Sequence, residues 1–387
     1  MAQLRILTYY HIPNNGAFVF VYSLLNLLKS EFGDDCVKIL SHKTRRQAIY
    51  QYLKQFKLFP GEPLFYRKRA RIFEKEINAY LDLDNDFPKL TGEKRLQHFL
   101  AENHDALLVG MDTWCLIKNT ERPHFPNIFW LPEETQVTKL AYGISAYNSN
   151  PDLIQQSKKE FGRYLDGFAY IGVRDRFTLS LVEESRSRRD GLVELVPDPT
   201  FSYEFRDTDV LQKLQQFGVD IERPSLGLLL YGDQQLSNKI VNHYREKGYQ
   251  ILALSMYNPD ADVNLGHVLT PFEWAEAFRY LSFCVSDRFH GTIFCMMNQT
   301  PFVCLEKERY LSRKQSKIYD LLTQFDLVNH YFNPSDDDFE TGTFLVQANE
   351  IEASWGGDVK EKLINRITEF KKENILKIQR MKTFIGE

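Results

Sequence analysis

Phe283-Cys284-Val285-Ser286-Asp287-Arg288-Phe289-His290-Gly291-Thr292 begins as an apolar run of strand type and stops at an arginine and a histidine two positions apart. Gly291 then opens a second apolar segment, Ile293 to Met297. Arg288 offers a fixed fork of donors for a carboxylate or a phosphate. His290 exchanges a proton near neutral pH. An anion clamp and an acid/base group in one turn suit chemistry on a small anionic substrate. In open α/β sheets ligands bind outside the carboxyl ends of the strands, so this turn sets the expectation for the rest of the chain.

The same pattern recurs outward from it. Arg5 to Tyr9 is a strand-type run that ends in the turn-rich His11 to Gly16, and Ala17 to Leu28 has helical spacing. Cys36–Leu40, Ala106–Gly110, Ala141–Ser145 and Gly167–Arg174 read as further strands with helical segments between most of them. After Asp198-Pro199-Thr200 a second series starts. Its strands are Leu226–Tyr231, Tyr249–Leu254, Phe283–Val285 and Pro301–Leu305, and its helices are Asn238–Glu246 and Pro271–Tyr280. Alternating strands and helices argue for parallel, doubly wound sheets. The expected architecture is α/β, with two Rossmann-like domains facing a cleft and a C-terminal helix. Its parts are residues 1–204, residues 205–350 carrying the Arg-x-His turn, and a helical extension, 351–387. Asp358 and Glu361 have capping-box spacing, with Asp358 as N-cap, and Val359, Leu363, Ile367 and Phe370 form one apolar face.

At 387 residues, 43% hydrophobic and 26% charged, the chain has the composition of a folded globular protein with room for two domains. A net charge of −4 calls for no nucleic-acid partner. That charge is uneven. Lys43 to Lys75 holds ten bases and two acids, interleaved with Tyr50, Tyr52, Phe56, Phe59, Phe65, Tyr66 and Phe73. The segment reads as a solvated basic surface over buried aromatics. It also suits a face that meets anionic lipid or a lipid-diphosphate acceptor. The five cysteines form no CxxC pair, which fits a reduced, cytoplasmic setting. Met1 to Tyr10 has no charged leader before a long apolar core, so no signal peptide is expected. No apolar run approaches the roughly 20 residues of a membrane span.

Each candidate group has a plain alternative. Arg174, at a strand-to-helix junction, reads equally as a surface arginine paired with Asp175. Asn14-Asn15-Gly16 before a helix has the makings of a phosphate-cradling loop, or of an ordinary turn. Asp112 suits a base or a helix N-cap. No dinucleotide fingerprint, P-loop, nucleophile elbow or metal-ligand spacing is present.

Ser286-Asp287-Arg288-Phe289-His290-Gly291-Thr292-Ile293, followed by Asn298-Gln299-Thr300-Pro301-Phe302-Val303, resembles the signature of the polysaccharide pyruvyl transferases. Shorter blocks are similar in the same order. They are Asn15-Gly16-Ala17, Asp105 to Gly110 with Asp112 and Trp114, Gly143-Ile144-Ser145, Val173-Arg174-Asp175, Val196 to Thr200, and Lys317 with Leu321-Leu322. The chain departs from the pattern at Cys115-Leu116-Ile117, and its segment Lys43–Lys75 has no counterpart.

The resemblance implies a glycosyltransferase-B-like fold. It implies transfer of the pyruvyl group of phosphoenolpyruvate onto two hydroxyls of a sugar in a lipid-linked or polymeric bacterial glycan, closing a cyclic ketal. It puts His290 in the acid role and Arg288 and Arg174 on the donor, with Phe289, Gly291, Asn15, Gly16 and Lys317 also on the donor side. Asp112 and Glu133 are candidates for the base or for acceptor contacts. No metal and no cofactor besides phosphoenolpyruvate is called for, because arginines can neutralise its charge. The setting expected is cytoplasmic, with peripheral contact at the inner face of the membrane. The alternatives are a glycosyltransferase using a nucleotide sugar on the same architecture, and a non-catalytic glycan-binding relative.

Overall fold

The computed structural model describes residues 3–43, 45–84, 106–115, 125, 127–131, 133, 137–147, 149–188, 191–230, 233–306 and 315–385. Asp105, Leu116, Ile117 and Tyr231, singled out above, lie outside these residues, and the side chains of 45–47 are likewise not described.

The first unit runs β1 (Leu4–Leu7), α1 (Asn15–Phe32), β2 (Val37–Leu40), α2 (Arg45–Lys54), α3 (Phe65–Tyr80), β3 (Leu83–Asp84), β4 (Ala106–Gly110), β5 (Thr138–Ile144), α4 (Pro151–Leu165), β6 (Phe168–Val173), α5 (Arg176–Ser185) and β7 (Leu192–Leu195). Its seven strands are all parallel, in the order β3-β2-β1-β4-β5-β6-β7. The second unit runs α6 (Val210–Gln216), β8 (Ser225–Leu229), α7 (Gln234–Glu246), β9 (Gln250–Ala253), β10 (Val263–Asn264), α8 (Pro271–Ala277), β11 (Phe283–Ser286), α9 (Phe289–Met297), β12 (Phe302–Leu305), α10 (Lys317–Gln324), β13 (Tyr331–Phe332), α11 (Thr341–Ser354) and α12 (Gly357–Lys382). Its six strands are parallel too, in the order β10-β9-β8-β11-β12-β13. Parallel strands are covered on both faces, which is why β4, β8 and β11 read as unbroken apolar runs and are buried at every residue.

Strand order reverses between β1 and β4 in the first sheet and between β8 and β11 in the second. A crevice opens at such a switch point, outside the strand ends. The loop after β1 leads to Asn14–Gly16, β4 leads to Asp112, and β11 leads to Arg288 and His290. Three of the four strands that flank a switch point, β1, β4 and β11, therefore deliver a polar segment noted in the sequence.

α1 is apolar nearly all round because it is buried on two sides. Beside its contact with β2 it meets the second unit, where the Phe18 ring lies edge-on to Phe272 at 5.5 Å. One apolar cluster thus runs from the first sheet through α1 to α8 and α9. α12 closes the back of this junction, packing on α1, on α9 and on the short turn Pro199–Ser202. Its Asn374 is fully buried. It accepts from the Tyr142 hydroxyl at 2.7 Å and donates to Ser202 Oγ at 3.0 Å and to the Asp198 carbonyl at 3.3 Å.

Two details differ from the sequence reading. α12 begins at Gly357 with Gly356 as its cap and no side-chain cap bond, so Asp358 sits inside the first turn. There its charge still favours the positive helix end. α11 runs through residue 350, and its Phe344, Ala348 and Ile351 pack with the second sheet's outer core, so α11 belongs to that unit and the crossing helix starts after it.

Candidate active site

The first wall is the N-terminus of α1. Asn14 caps it, accepting from the Ala17 amide at 3.2 Å. Asn15 is buried, and neither its carbonyl oxygen nor its amide nitrogen has a partner. Gly16 lies directly against His290 of the second unit. A methyl group at Gly16 would overlap the His290 Cβ and Cγ, so glycine is required by close approach. His290 sits in the first turn of α9, and two positive helix ends from different units therefore meet at one imidazole.

The second wall is an ion network, buried at Arg174, Asp198 and Lys317 and partly open to solvent at Asp112. The Arg174 guanidinium, with no exposed side-chain surface, donates to both Asp198 and Asp112. Lys317 Nζ donates to the other Asp112 oxygen at 2.6 Å. Phe289 packs its ring 4.7 Å from the Arg174 guanidinium and 5.1 Å from Lys317 Nζ, and Phe20 lies 5.4 Å from Arg174. These rings fix the cations by cation–π contact. His290 Nε2 lies 3.9 Å from Asp198 Oδ2 and has no hydrogen-bond partner, although it is buried. A buried, unsatisfied ring nitrogen aimed at a carboxylate is an unmet demand that a ligand can satisfy.

Met111 adds strain at the end of β4, with φ 72° and ψ −159° in a region that non-glycine residues avoid. Asp112 follows directly and meets Arg174 and Lys317. Beside the network, Glu306 at the end of β12 accepts from the hydroxyls of Tyr147, Ser316 and Tyr331, tying the loop after β5 to the second unit.

Burial pushes His290 down to about 4. Asp198 pulls it up, and Arg174 and Lys317 add to the depression. Burial would raise the Asp112 carboxyl, yet Arg174 and Lys317 hold it well below the usual carboxylate range. Arg174 keeps its proton more firmly than an ordinary guanidinium, because Asp112 and Asp198 outweigh its burial. In the free protein His290 is therefore neutral at pH 7.

This depression makes a stability prediction. Between 6.5 and about 4 the unfolded chain binds a proton at this position that the native state refuses. The native state thus loses stability as pH falls through that window, on the order of 3 kcal/mol when complete. His290→Gln removes the penalty. Relative to wild type, the variant should gain stability on going from pH 7.5 to pH 4.5, read from urea unfolding midpoints. An equal difference between the two proteins at both pH values would contradict a buried neutral imidazole.

The residues named from sequence divide as follows. His290, Phe289, Arg174, Asp112, Lys317, Asn15 and Gly16 come together. Gly291 packs against the Ser286 hydroxyl, where a Cβ would come within 2.6 Å. Arg288 is the N-cap residue of α9. Its side chain is 42% exposed at the mouth of the cleft, with Nε 2.8 Å from Asp287. Glu133 is exposed and pairs with Arg163 of α4 at 3.1 Å, so its observed partner is outside the network. The plain reading of Arg174 is also corrected. Asp175 is not its partner, because that carboxylate caps α5 through the Thr178 amide and hydroxyl, both at 2.7 Å. Sequence reading gave no role to Asp198, Phe20 or Glu306. The signal for Asp198 was an acid between prolines at the end of the first unit, inside a block already noted for its pattern.

Two parallel α/β units with facing switch points define the glycosyltransferase-B-like class of two-domain proteins. Solved structures share this fold. A UDP-GlcNAc 2-epimerase of Methanocaldococcus jannaschii, in complex with UDP-GlcNAc and UDP, aligns at TM-score 0.53 with 11% identity, over 96% of this chain and 100% of that one. The Anabaena protein Alr3699/HepE in complex with UDP-glucose aligns at TM-score 0.52 with 8% identity, over 98% and 100%. The glycotransferase of kitacinnamycin aligns at 0.51 with 8% identity, over 100% and 99%. Such identities speak to the fold alone. Residues 14–309 match the family model of the polysaccharide pyruvyl transferases, and the chain belongs to that family. A comparison with curated proteins yields no match.

Proposed function

We propose that the cleft transfers the pyruvyl group of phosphoenolpyruvate to two neighbouring hydroxyls of a glycan, with His290 as the general acid. The observation that carries this is the buried, unpartnered Nε2 of His290, set against Gly16 where the N-termini of α1 and α9 meet. A donor with a carboxylate and a phosphate is drawn to two helix ends, to Lys317 and to Arg288 at the mouth. As the donor's negative charge arrives, the proton affinity of His290 rises from its depressed value. The imidazolium then protonates the methylene carbon of the donor. A sugar hydroxyl attacks the adjacent carbon, the C–O bond to phosphate breaks, and the second hydroxyl closes the ketal. Of the two hydroxyl protons, one restores His290 and one leaves with phosphate.

Asp112 suits the base. In the free protein Arg174 and Lys317 neutralise it, which makes it a poor one. The donor's carboxylate competes for the same two cations. Once it takes them, the Asp112 carboxylate is released toward the acceptor with its basicity restored. Arg174 then serves as a fixed pivot between Asp198 and the donor. This scheme uses no cofactor. The setting proposed is the cytoplasm, with a lipid-linked or polymeric acceptor. Among the described residues no helix is long and apolar enough to cross a membrane.

The test is mass spectrometry of candidate glycans after incubation with phosphoenolpyruvate, together with phosphate release. Addition of pyruvate less water to the acceptor is expected, with one phosphate per ketal. Thermal stabilisation by nucleotide sugars and not by phosphoenolpyruvate, with no phosphate released, would transfer the reading to a glycosyltransferase. Gly16→Ala tests the geometry. Its methyl group must displace His290, and a shift of about 1 Å at a reacting group can cost on the order of 100-fold. We expect kcat to fall at least tenfold, with a stability loss of about 1–3 kcal/mol from overpacking. Unchanged kcat would show that His290 does not need its observed place.

A further inference from the structure

Among the described residues, seven of the fifteen large hydrophobic side chains that are exposed lie between Ile49 and Leu64. They occupy the end of α2 and the connection to α3. Tyr50, Tyr52, Leu53 and Phe56 are each about 60% exposed, and Leu58 reaches 70%. This is also the basic segment of the chain. Residues 43–75 carry ten bases and two acids, a net +8 in a protein of net −4, so the remainder carries −12. Positive charge and exposed apolar surface are concentrated together.

The hairpin is already docked on its own protein. Phe59 stacks on Tyr257 of the second unit at 4.4 Å, and the Tyr257 hydroxyl donates to the Pro60 carbonyl at 2.6 Å. Glu62 lies 3.0 Å from His267 Nε2. Arg69, buried on the inner side of α3, donates to the carbonyls of Pro13, Ser255 and Gly266. The side that faces the body is thus filled by Phe59, Phe65 and Arg69, and the leucines and tyrosines on the other side are left in solvent.

The surface lies beside the cleft. Arg69 holds Pro13, one residue before the cap of α1. The charge of Lys54 is disfavoured by burial and then by the neighbouring Arg69, Lys57 and Arg288. The cations of the patch and the arginine at the cleft mouth therefore share one positive field.

We propose that residues 49–71 form a docking surface for an anionic lipid bilayer, which presents the cleft mouth to the membrane. Leu53, Phe56 and Leu58 enter the headgroup boundary, the tyrosines sit at its polar edge, and Lys57, Arg67, Lys68 and Arg71 meet the lipid charges. Nucleic acid would use the bases and the rings, but it gives no role to Leu53, Leu58, Leu64 and Ile49. A protein partner would have to supply acids around an apolar centre, whereas a bilayer supplies both without a specific shape. The consequence for catalysis, capture of a lipid-linked acceptor, rests on the function proposed above; the docking does not.

The test is co-sedimentation of the full chain with phosphatidylcholine vesicles, with and without phosphatidylglycerol. Binding only to the phosphatidylglycerol vesicles, weakened by salt, is expected. Leu53→Glu with Leu58→Glu, and separately Lys57→Glu with Arg67→Glu, should each weaken it by at least about tenfold, since one interfacial base is worth about fivefold. All four positions are exposed, so the unfolding midpoint should stay at the wild-type value. Phosphate release with a water-soluble acceptor should also be unchanged. Failure to bind phosphatidylglycerol vesicles at low salt, or equal binding by the variants, would overturn the proposal. So would a wild-type dimer that the leucine variants convert to monomer, because a second copy would then cover the face. Loss of vesicle binding alone leaves the transferase reading intact, and absent turnover with intact vesicle binding counts against that reading only.

Discussion

His290→Gln is expected to lower turnover with phosphoenolpyruvate by about 10²- to 10⁴-fold, the usual contribution of one general acid. The imidazole sits in the first turn of α9 against Gly16 at the start of α1, and its Nε2 has no structural bond to lose. The substitution should therefore remove the proton delivered to the donor's methylene carbon and leave the fold in place. Phosphoenolpyruvate should still stabilise the variant in a thermal-shift titration, because the helix ends, Lys317 and Arg288 remain. Phosphate release in single-turnover experiments checks the chemical step. A variant with wild-type turnover would remove His290 from the mechanism. Loss of donor binding with normal turnover of bound donor would make it a binding group.

Asp198→Asn is expected to have the largest effect on stability. Asp198 and Arg174 are both fully or almost fully buried, and Asp198 is one of two carboxylates that compensate the guanidinium. Removing one partner of a buried ion pair costs about 3–5 kcal/mol, because the other charge is left uncompensated. Asp112 stays beside Arg174, so a value near 3 is expected, read as a lowered urea midpoint. A second effect follows from charge. Asp198 is the main neighbour that raises the proton affinity of His290. Without it the imidazole protonates at still lower pH, and the limb of the activity profile that reports the protonated acid should move to lower pH. A destabilised enzyme with an unshifted profile would make Asp198 a structural residue only.

Much of this site is legible in the sequence. The parallel strands are buried on both faces, so β4, β8 and β11 stand out as apolar runs, and the chemistry-bearing residues fall where those runs stop. Arg288 to Thr292, Asp112 and Asn14 to Gly16 were all found that way. The boundaries were less secure. The sequence suggested a cap at Asp358, but the helix starts at Gly357, because Gly356 caps it through its backbone carbonyl and leaves no side-chain signal. Glu133 stood near the predicted strands without belonging to the cluster, because short spacing in sequence says nothing about which side of a loop faces a cleft.

Sequence alone determined the alternation of elements, the two-unit organisation, the strand ends that carry the polar cluster and the family signature, since each depends on local pattern. Tertiary structure decided the electrostatics. Arg174 meets Asp198 across 24 residues and Asp112 across 62, and Lys317 meets Asp112 across 205. Those pairings turn an expected free anion clamp into a neutralised pivot. They also help set the low proton affinity of His290, whose main cause is burial between two units. The exposure of Ile49 to Leu64 was decided the same way, because a basic aromatic segment reads identically whether its rings are buried or in solvent. Proton affinity, burial and ion pairing depend on distances between residues remote in the chain, and those distances exist only once the two sheets have packed around α1.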